Sequence, residues 1–222
     1  MFKGKKLRLI PALLAVAFSG GAFASGFQLL EQNASGIGNA YAGSAAVADN
    51  ASTIFYNPAG MTQLKDREFS VGATGVQTSF KFSDQGSAAL AGTGNGGDGG
   101  SLGFIPNGYL SWALNKDWYV GVGVGAPFGL VTKYNDPWIG GAHSLSFEIK
   151  TYNINPSVAY KVNEQLSVGL GLSWQRIEAE YKKIAGIGVP FSLTRVTLKL
   201  DDDSWGWNAG ALYKVTPATT LG

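Results

Sequence analysis

A lone histidine followed by two serines is the one place in this sequence where residue types and spacing could support nucleophilic catalysis. His143 is the only histidine of the chain, and Ser144 and Ser146 follow it closely. A serine nucleophile needs an adjacent base and a third group that orients the base. No carboxylate spacing singles out such a third group, so we expect that the protein is not an enzyme.

Metal, nucleotide and phosphate sites also lack a motif in the sequence. The chain has no cysteine, and Gly36-Ile37-Gly38 does not stand in the strand–helix context of a phosphate-binding loop. Asp98 lies in the glycine-rich stretch 83–100, where it could belong to a cation loop, but its spacing matches no calcium motif. The stretch has too little apolar surface for a core and is expected to be a mobile external loop. We therefore expect no metal and no cofactor.

Two prolines stand at positions that restrict the backbone. Pro58, in Asn57-Pro58-Ala59, removes an amide donor and restricts Asn57 to extended conformations, so it predicts a fixed bend. The Asn57 side chain can satisfy backbone groups nearby, although the residues NPAG are also compatible with an ordinary turn. Pro127 ends a regular strand in the sequence GAPFG. It predicts a kink and a local gap in a sheet, or simply the start of an external loop.

The N-terminus predicts export from the cytoplasm. Four basic residues precede a short apolar run at 9–18, and Ala22-Phe23-Ala24 supplies a small-x-small cleavage pattern. The run is too short for a spanning helix, so residues 1–24 are expected to be a cleaved signal peptide. The whole chain has 17 Lys+Arg and 15 Asp+Glu. Loss of the basic signal leaves a slightly acidic mature chain, which argues against a nucleic-acid partner.

The mature chain alternates apolar residues with small or polar ones. Val120, Val122 and Val124 alternate with glycines, for example. Such period-two alternation predicts strands with one apolar face. We expect strands at residues 68–82, 103–114, 117–130, 144–162, 165–182 and 195–214, with a seventh starting near Thr219.

A soluble sandwich gives the same alternation, so other features must decide the environment. Tyrosines and tryptophans lie near the expected strand ends, as in the interfacial girdles of outer-membrane barrels. Connections alternate between tight turns and long loops, the latter at 83–101, 126–143 and about 183–193. No mature stretch has the ~20 apolar residues of a membrane helix. These features predict an all-β, transmembrane antiparallel β-barrel, in which 152–162 crosses the bilayer and 144–151 extends above it.

The number of strands is too small for a closed barrel. Leu221-Gly222 falls inside an expected strand, and bacterial single-chain barrels have even strand numbers from eight upward. An open sheet edge in hydrocarbon would leave amides unsatisfied. We therefore expect that these 222 residues form only part of a barrel and do not insert alone as a closed one.

Eight short motifs follow one another through the mature chain. They are Gly26-Phe27-Gln28-Leu29, Ser35-Gly36-Ile37-Gly38, Ala40-Tyr41, Val47-Ala48-Asp49, Asn57-Pro58-Ala59, Phe128-Gly129-Leu130, Tyr134-Asn135-Asp136 and Gly206-Trp207-Asn208-Ala209-Gly210. In their order and spacing the sequence resembles the FadL/TodX family of outer-membrane transporters for long-chain fatty acids and other hydrophobic compounds. The resemblance implies a 14-stranded barrel with an N-terminal hatch in its lumen. The expected division is a signal peptide at 1–24, a hatch or plug at 25–66, and the first half of the barrel at 67–222.

The resemblance also implies a gate and an exit. Asn57, Pro58 and Ala59 correspond to the hatch signature of the family. Pro127, Phe128 and Gly129 correspond in position to an inward kink of the third strand, which opens the barrel sideways to the bilayer.

Substrate contacts follow from the same resemblance. Lys183 corresponds to a basic residue, an arginine in the family, that binds the substrate carboxylate. Lysine keeps the charge but loses the bidentate fork; Lys182 could replace it, and both could be ordinary solvated lysines. The remaining expected contacts are Phe27 in the hatch and Phe128, Leu130 and Trp138, which with Ile139 would form an apolar capture surface on the external loops.

The implied function is passive uptake of long-chain fatty acids or related hydrophobic molecules by a monomeric barrel in the outer membrane of a Gram-negative bacterium. The partners would be the hydrophobic substrate and the surrounding outer-membrane lipid. Two alternatives stay open. The same fold could import aromatic hydrocarbons, which need no carboxylate partner, or it could be a surface adhesin or structural barrel whose hatch never moves.

Overall fold

A single antiparallel sheet accounts for most of the chain in the computed structural model, which describes residues 28–87, 91–187 and 192–222. The expected signal peptide, residues 1–24, and Phe27 lie outside the described residues. The strands are β1 (Arg67–Gln77), β2 (Leu102–Ala113), β3 (Trp118–Gly125), β4 (Gly129–Lys133), β5 (Ser146–Lys161), β6 (Leu166–Ile187), β7 (Ser192–Thr216) and β8 (Thr219–Leu221). They follow the order β1-β2-β3-β5-β6-β7-β8, with β4 beside β5. β3 and β4 pair one after the other with the same neighbour, β5, so together they occupy one strand position. The sheet is therefore a curled half-barrel with seven strand positions.

The segment that precedes the sheet, residues 28–66, packs against the concave face, and we refer to it as the plug segment. It contains 3₁₀ turns at Ile37–Asn39 and Pro58–Gln63 and one short helix, α1 (Thr53–Tyr56). A cluster of buried residues joins plug and wall: Ala51, Ile54, Met61, Tyr109, Tyr119 and Ala159. The core of the molecule is therefore the interface between the plug segment and the wall. Within the described ranges, no helix is long and apolar enough to cross a membrane.

Alternation along the strands gives the sheet an apolar outer face and an inner face that contacts the plug segment. On β3 the outer face carries Val120, Val122 and Val124, whereas Gly121 and Gly123 face the plug segment. A β-carbon at Gly121 would lie 2.6 Å from Ile54 Cδ1 and 2.7 Å from Met61 Sδ. The glycines therefore make room for the plug segment, while the valines of the same strand cover the outside.

The polarity of the outer face changes partway along β6. Below Trp174 this face carries Val168, Leu170 and Leu172, all exposed. Above it, the same alternation brings Arg176, Glu178, Glu180 and Lys182 to the outside, in register with Asp203, Asp201 and Lys199 of β7. Trp174 pairs with Trp205, so a tryptophan level marks the boundary. Since aromatic girdles lie at membrane interfaces, the charged part of the hairpin lies above the bilayer.

Strand lengths agree with this boundary. β6 and β7 contain 22 and 25 residues, more than the ~9–11 residues that cross a bilayer. The expected strands are confirmed with ends that differ by up to five residues, except that 117–130 divides into β3 and β4. The tight turns at 114–117 and 162–165 are confirmed. Two of the expected long loops are wrong. The described residues of the first, 183–187 and 192–193, belong to the paired strands β6 and β7, and 126–143 contains β4.

Candidate functional site

Asn57 fastens the plug segment to the wall. Its side chain is almost fully buried, and its Nδ2 donates to the carbonyl of Ala45, at 2.6 Å, and to that of Ala211 in β7, at 3.0 Å. Its Oδ1 accepts a hydrogen bond from Ala59 N at 3.1 Å, which caps the 3₁₀ turn that Pro58 begins. The two sequence-based readings of this motif therefore coincide in one structure: the turn is also the contact with the wall.

Glycines of β6 and β7 leave the space that this turn occupies. A β-carbon at Gly169 would overlap the backbone of Pro58 and Ala59, and one at Gly210 would overlap the Asn57 side chain. Nearby, Thr62 Oγ1 donates to Ser167 Oγ on β6 at 2.8 Å. Shape complementarity at the glycines and hydrogen bonds around them hold this part of the plug segment against β6 and β7.

A small polar network lies on the wall below α1. Asn155 Nδ2 donates to Ser173 Oγ at 2.7 Å and to Asn208 Oδ1 at 3.2 Å, and Ser157 Oγ donates to Asn155 Oδ1 at 2.7 Å. Asn208 Nδ2 in turn reaches the carbonyl of Ile54 at 3.5 Å. Neutral amides and hydroxyls thus line this part of the lumen.

The wall is interrupted between β2 and β4. β3 pairs with β5 as far as Gly125↔Asn153, and β4 resumes at Gly129↔Lys150. Three residues, 126–128, therefore stand opposite the two residues 151–152, which is the arrangement of a bulge. On the other side, β2 pairs with β3 only from Asn107 onward. Within the described ranges no ladder joins β2 to β4, and we call this interruption the wall break.

Thr151 partly replaces the missing backbone pairing at the wall break. Its Oγ1 accepts a hydrogen bond from Phe128 N at 2.9 Å and donates to Phe128 O at 2.7 Å. Pro127 is buried and has no amide to donate. The three residues predicted for the kink, Pro127, Phe128 and Gly129, therefore lie at the interruption itself, and their role in transport stays a prediction.

The first described residues of the plug segment cover the wall break from inside. Gln28 forms an antiparallel bridge with Phe128, and Leu29 N donates to Pro127 O at 2.8 Å. Gln32 Nε2 donates to Ala126 O at 3.3 Å. The backbone carbonyl of Gln32 accepts a hydrogen bond from Tyr109 OH of β2 at 2.7 Å. One short piece of chain therefore contacts both sides of the break.

The predicted apolar contacts have different surroundings. Leu130 lies opposite the buried Ile149 on the inner face, and Phe128 is half-buried at the wall break. Trp138, however, is only 5% exposed. It stacks on Tyr134 with ring centroids 4.3 Å apart, and its Nε1 donates to Ser144 O at 2.9 Å. The loops therefore enclose Trp138 in this structure, and its role in substrate capture stays a prediction.

Lys183 faces inward, high on the wall. It pairs with Val196 on β7, whereas its neighbour Lys182 faces outward and forms an ion pair with Glu180. Lys183 lies roughly 40 Å along the strand from Gly171, at ~3.4 Å per residue. The inner face of the interval is largely apolar, with Asp202 opposite Ile177 as an acidic residue on it. The apolar residues are Phe147, Ile149, Ile177, Leu198 and Leu200. This surface was missed by sequence reasoning, although the reversed alternation of β6 and β7 could have revealed it.

The alternative sites that the sequence raised have structural explanations. His143 is exposed and its backbone carbonyl accepts a hydrogen bond from Tyr181, while Ser144 Oγ is buried without a partner among the described residues. Asp98 Oδ1 accepts hydrogen bonds from Phe80 N and Gly100 N, and Oδ2 accepts one from Ser79 Oγ at 2.7 Å.

The Asp98 contacts have an electrostatic consequence. The Ser79 hydroxyl first, and then the two amides, hold the pKa of the Asp98 carboxyl below its ordinary value. Asp98 therefore holds Ser79, Phe80 and Gly100 together, and we call this set of hydrogen bonds the Asp98 clamp. In the part of the chain that the structure describes, no group of His, Cys, Asp or Glu could hold a metal ion.

Comparisons with known proteins place these features in context. The profile of the family described as "Outer membrane protein transport protein (OMPP1/FadL/TodX)" matches residues 15–222. Outer membrane protein P1 of Haemophilus influenzae (strain ATCC 51907 / DSM 11121 / KW20 / Rd) is 33% identical over 95% of this chain and 56% of its own length. The long-chain fatty acid transport protein of Escherichia coli O6:H1 is 31% identical over 95% of this chain and 52% of its own. The chain thus spans about half the length of the curated relatives that it matches.

Solved structures show the same fold. A FadL homologue of Pseudomonas aeruginosa superposes with a TM-score of 0.78 at 24% identity, over 88% of this chain and 51% of that one. The toluene transporter TbuX of Ralstonia pickettii superposes with a TM-score of 0.61 at 19% identity, over 79% and 52%.

Proposed function

The chain belongs to the OMPP1/FadL/TodX family of outer-membrane transport proteins, and from that premise we propose that it takes part in passive uptake of long-chain fatty acids or related hydrophobic compounds. It is an outer-membrane protein of the Gram-negative type. The relatives named for this activity include a long-chain fatty acid transport protein. The proposal extends that activity to this protein.

The observation that carries the proposal is the wall break with the plug segment over it. A hydrophobic molecule that leaves sideways into the bilayer needs an interruption in the ladder of hydrogen bonds, because an intact ladder closes the wall. Here the interruption at 126–128 lies where Gln28 and Leu29 pair with the wall. Displacement of these residues would open a lateral exit, and their return would close it.

Capture of the substrate is assigned to the inner face above the bilayer. Ile177, Leu198 and Leu200 are 37%, 49% and 58% exposed on that face. Contiguous exposed apolar surface is a common feature of ligand-binding regions. The alkyl chain would lie against this surface with its carboxylate near Lys183, and Trp138 would support the loops instead of contacting the substrate.

The plug segment would act as the hatch. Asn57, Pro58 and Ala59 are fastened to β6 and β7, so we assign them the fixed end. Residues 28–34 lie over the wall break and contact both sides of it, so we assign them the moving end. Transport would then proceed by capture, passage to the plug segment, displacement of residues 28–34 and lateral exit.

Release of substrate can be tested by locking the moving end. Gln28 and Phe128 form an antiparallel bridge, in which the Cα separation of ~4.5–5.5 Å suits a disulfide. The protein has no native cysteine, so Gln28→Cys with Phe128→Cys adds one defined pair. The protein would be expressed in full in a Gram-negative host that lacks its own fatty acid transporter, and uptake of labelled hexadecanoic acid measured. We expect loss of uptake when the pair is oxidised and recovery after reduction.

A matched control places a disulfide within the wall alone. Phe69 and Leu110 are opposite each other on β1 and β2, on the outer face, and Phe69→Cys with Leu110→Cys should leave uptake unchanged. Full uptake through a verified Gln28–Phe128 disulfide would end the gate proposal. No uptake by the unmodified protein would end the transport proposal and favour an adhesin or structural barrel.

A further inference from the structure

Two polar side chains on the inner face of β1 and β2 are buried without partners. Asn107 is 6% exposed and Thr74 is 8% exposed. Within the described ranges, neither Asn107 Nδ2 nor Thr74 Oγ1 has a hydrogen-bond partner. Asn107 pairs with Gly72, so Thr74 is its diagonal neighbour, at a typical distance of ~7–8 Å. Buried donors without partners cost free energy, and in native proteins they point to an absent water, ion or ligand.

Asn107 stands at the inner mouth of the wall break. It pairs with Gly125, the last residue of β3 before the interruption, and the residue before it on β2 is Pro106. A cleft begins beside it and is lined in part by Gln32, Phe55, Tyr109, Asn153 and Asn155. None of the described residues that line the cleft is charged. The cleft therefore offers hydrogen-bonding groups and apolar surface without a counter-ion.

The moving end of the plug segment covers Asn107. A β-carbon at Gly72 would lie 3.7 Å from Ala34 Cβ and 3.1 Å from Asn107 Oδ1. One at Gly125 would lie 3.3 Å from Gln32 Oε1 and 3.9 Å from Asn107 Cβ. Residues 32–34 thus flank Asn107, and the same piece of chain pairs with the wall break at Leu29. Its displacement would uncover the break and the two unpartnered donors together.

We propose that Asn107 Nδ2 and Thr74 Oγ1 form a docking point for the uncharged, oxygen-bearing head of an amphiphile at the inner mouth of the wall break. The inference rests on the proposed transport function. An alcohol or a protonated carboxyl group fits, because an uncharged oxygen can accept a hydrogen bond from either donor. A carboxylate fits less well, because burial of a charge without a counter-ion is costly. A head group held here keeps the alkyl chain beside the gap through which it leaves.

The test compares three labelled probes of equal chain length: dodecanol, dodecanoic acid and dodecane. Uptake of each would be measured in the fatty-acid-transporter-deficient host that expresses the full protein with Asn107→Leu or Thr74→Val. Both changes keep the number and branching of the side-chain heavy atoms and remove the donor. We expect dodecanol uptake to fall roughly three- to tenfold, as for loss of a buried hydrogen bond, and dodecane uptake to stay unchanged. Dodecanoic acid should follow dodecanol more closely at pH 5 than at pH 8.

Ser111 supplies the matched control. It lies on the same face of β2, is fully buried, and its Oγ likewise has no partner among the described residues. It pairs with Gly121, four residues along β3 from the Gly125 that Asn107 pairs with at the wall break, so Ser111→Ala should leave all three uptakes unchanged.

Each outcome decides between named possibilities. Unchanged dodecanol uptake in both variants would overturn the docking point and leave the two donors to an ordered water. An equal fall for all three probes would assign Asn107 a purely structural role and also overturn it. If the unmodified protein takes up none of the probes, the proposed transport function is wrong. That result differs from failure of the docking point alone, in which the unmodified protein and both variants take up dodecanol equally.

Discussion

The side chain of Asn57 occupies the space that a β-carbon at Gly210 would fill. The amide of Asn57 then reaches the carbonyl of Ala211, the next residue of β7. The wall is therefore shaped at one residue to receive one side chain of the plug segment, and the hydrogen bond follows from that fit. A larger residue at 210 cannot be accommodated by rotation of a flexible side chain, because Asn57 is itself held at both of its polar atoms.

Gly210→Ala should loosen the plug segment without unfolding the wall. The added methyl group meets Asn57, and overpacking of this kind typically costs about 1–3 kcal/mol. We expect faster hydrogen exchange in peptides that cover residues 50–64, measured by mass spectrometry on the protein in detergent. Gly206→Ala is the control, because a β-carbon at Gly206 finds only Ser173 Cβ, at 3.9 Å. Equal hydrogen-exchange rates in both variants would show that the space at Gly210 does not hold the plug segment in place.

Thr151→Val should destabilise the chain at the wall break. The valine keeps the shape of threonine but removes the hydroxyl that bonds both Phe128 N and Phe128 O. Since one such bond is worth about 1 kcal/mol, we expect amide exchange of Phe128 to accelerate about fivefold or more, measured by NMR. Thr132→Val, on β4 opposite Phe147, is the control. Unchanged exchange at Phe128 would mean that Thr151 does not support the kink.

Much of this wall could be predicted from the sequence, because alternation is a local signal. The strands at Val120 and Val168 follow from it directly, and the split of the third strand follows from Pro127. The continuation of β6 beyond Lys182 goes against the expected loop at 183–193, because the expectation ended the strand at Lys182. The outer face is already charged and the inner face more apolar from Arg176 onward, within the expected strand. The membrane boundary at Trp174 explains this reversal physically.

The sites were harder to predict, since they depend on contacts between distant parts of the chain. Trp138 looks like an exposed loop aromatic in the sequence, yet Phe82 packs against it with ring centroids 5.4 Å apart. The unpartnered donor of Asn107 depends on where Gln32 and Ala34 lie, which no spacing in the sequence specifies.

The Asp98 clamp should respond to acid. Its hydrogen bonds from Ser79, Gly100 and Phe80 lower the folded-state pKa of the carboxyl. A group with a depressed pKa stabilises the folded loop above its unfolded pKa, and this contribution is lost as the pH falls through the folded pKa. We expect the Phe80 and Gly100 amide resonances to titrate with a midpoint below about 3.9, the ordinary value for aspartate. A midpoint at or above that value would contradict the clamp, and Asp98→Asn should abolish this titration.

Lys183→Ala should weaken capture of fatty acids more than their passage. Lys183 lies on the inner face far above the plug segment, so its charge can attract a carboxylate at the entrance but cannot reach the wall break. A partly exposed ion pair is worth about 0.2–1 kcal/mol. We therefore expect the concentration of hexadecanoate for half-maximal uptake to rise roughly two- to fivefold at pH 8, with little change in maximal rate and none in dodecane uptake. Lys183→Arg should keep capture at least as strong as in the unmodified protein, because the arginine guanidinium can bind the carboxylate through two hydrogen bonds. Lys182→Ala is the control, since that lysine faces outward and pairs with Glu180. An equal effect of Lys183→Ala on hexadecanoate and dodecane would remove the carboxylate role and favour uptake of uncharged hydrocarbons.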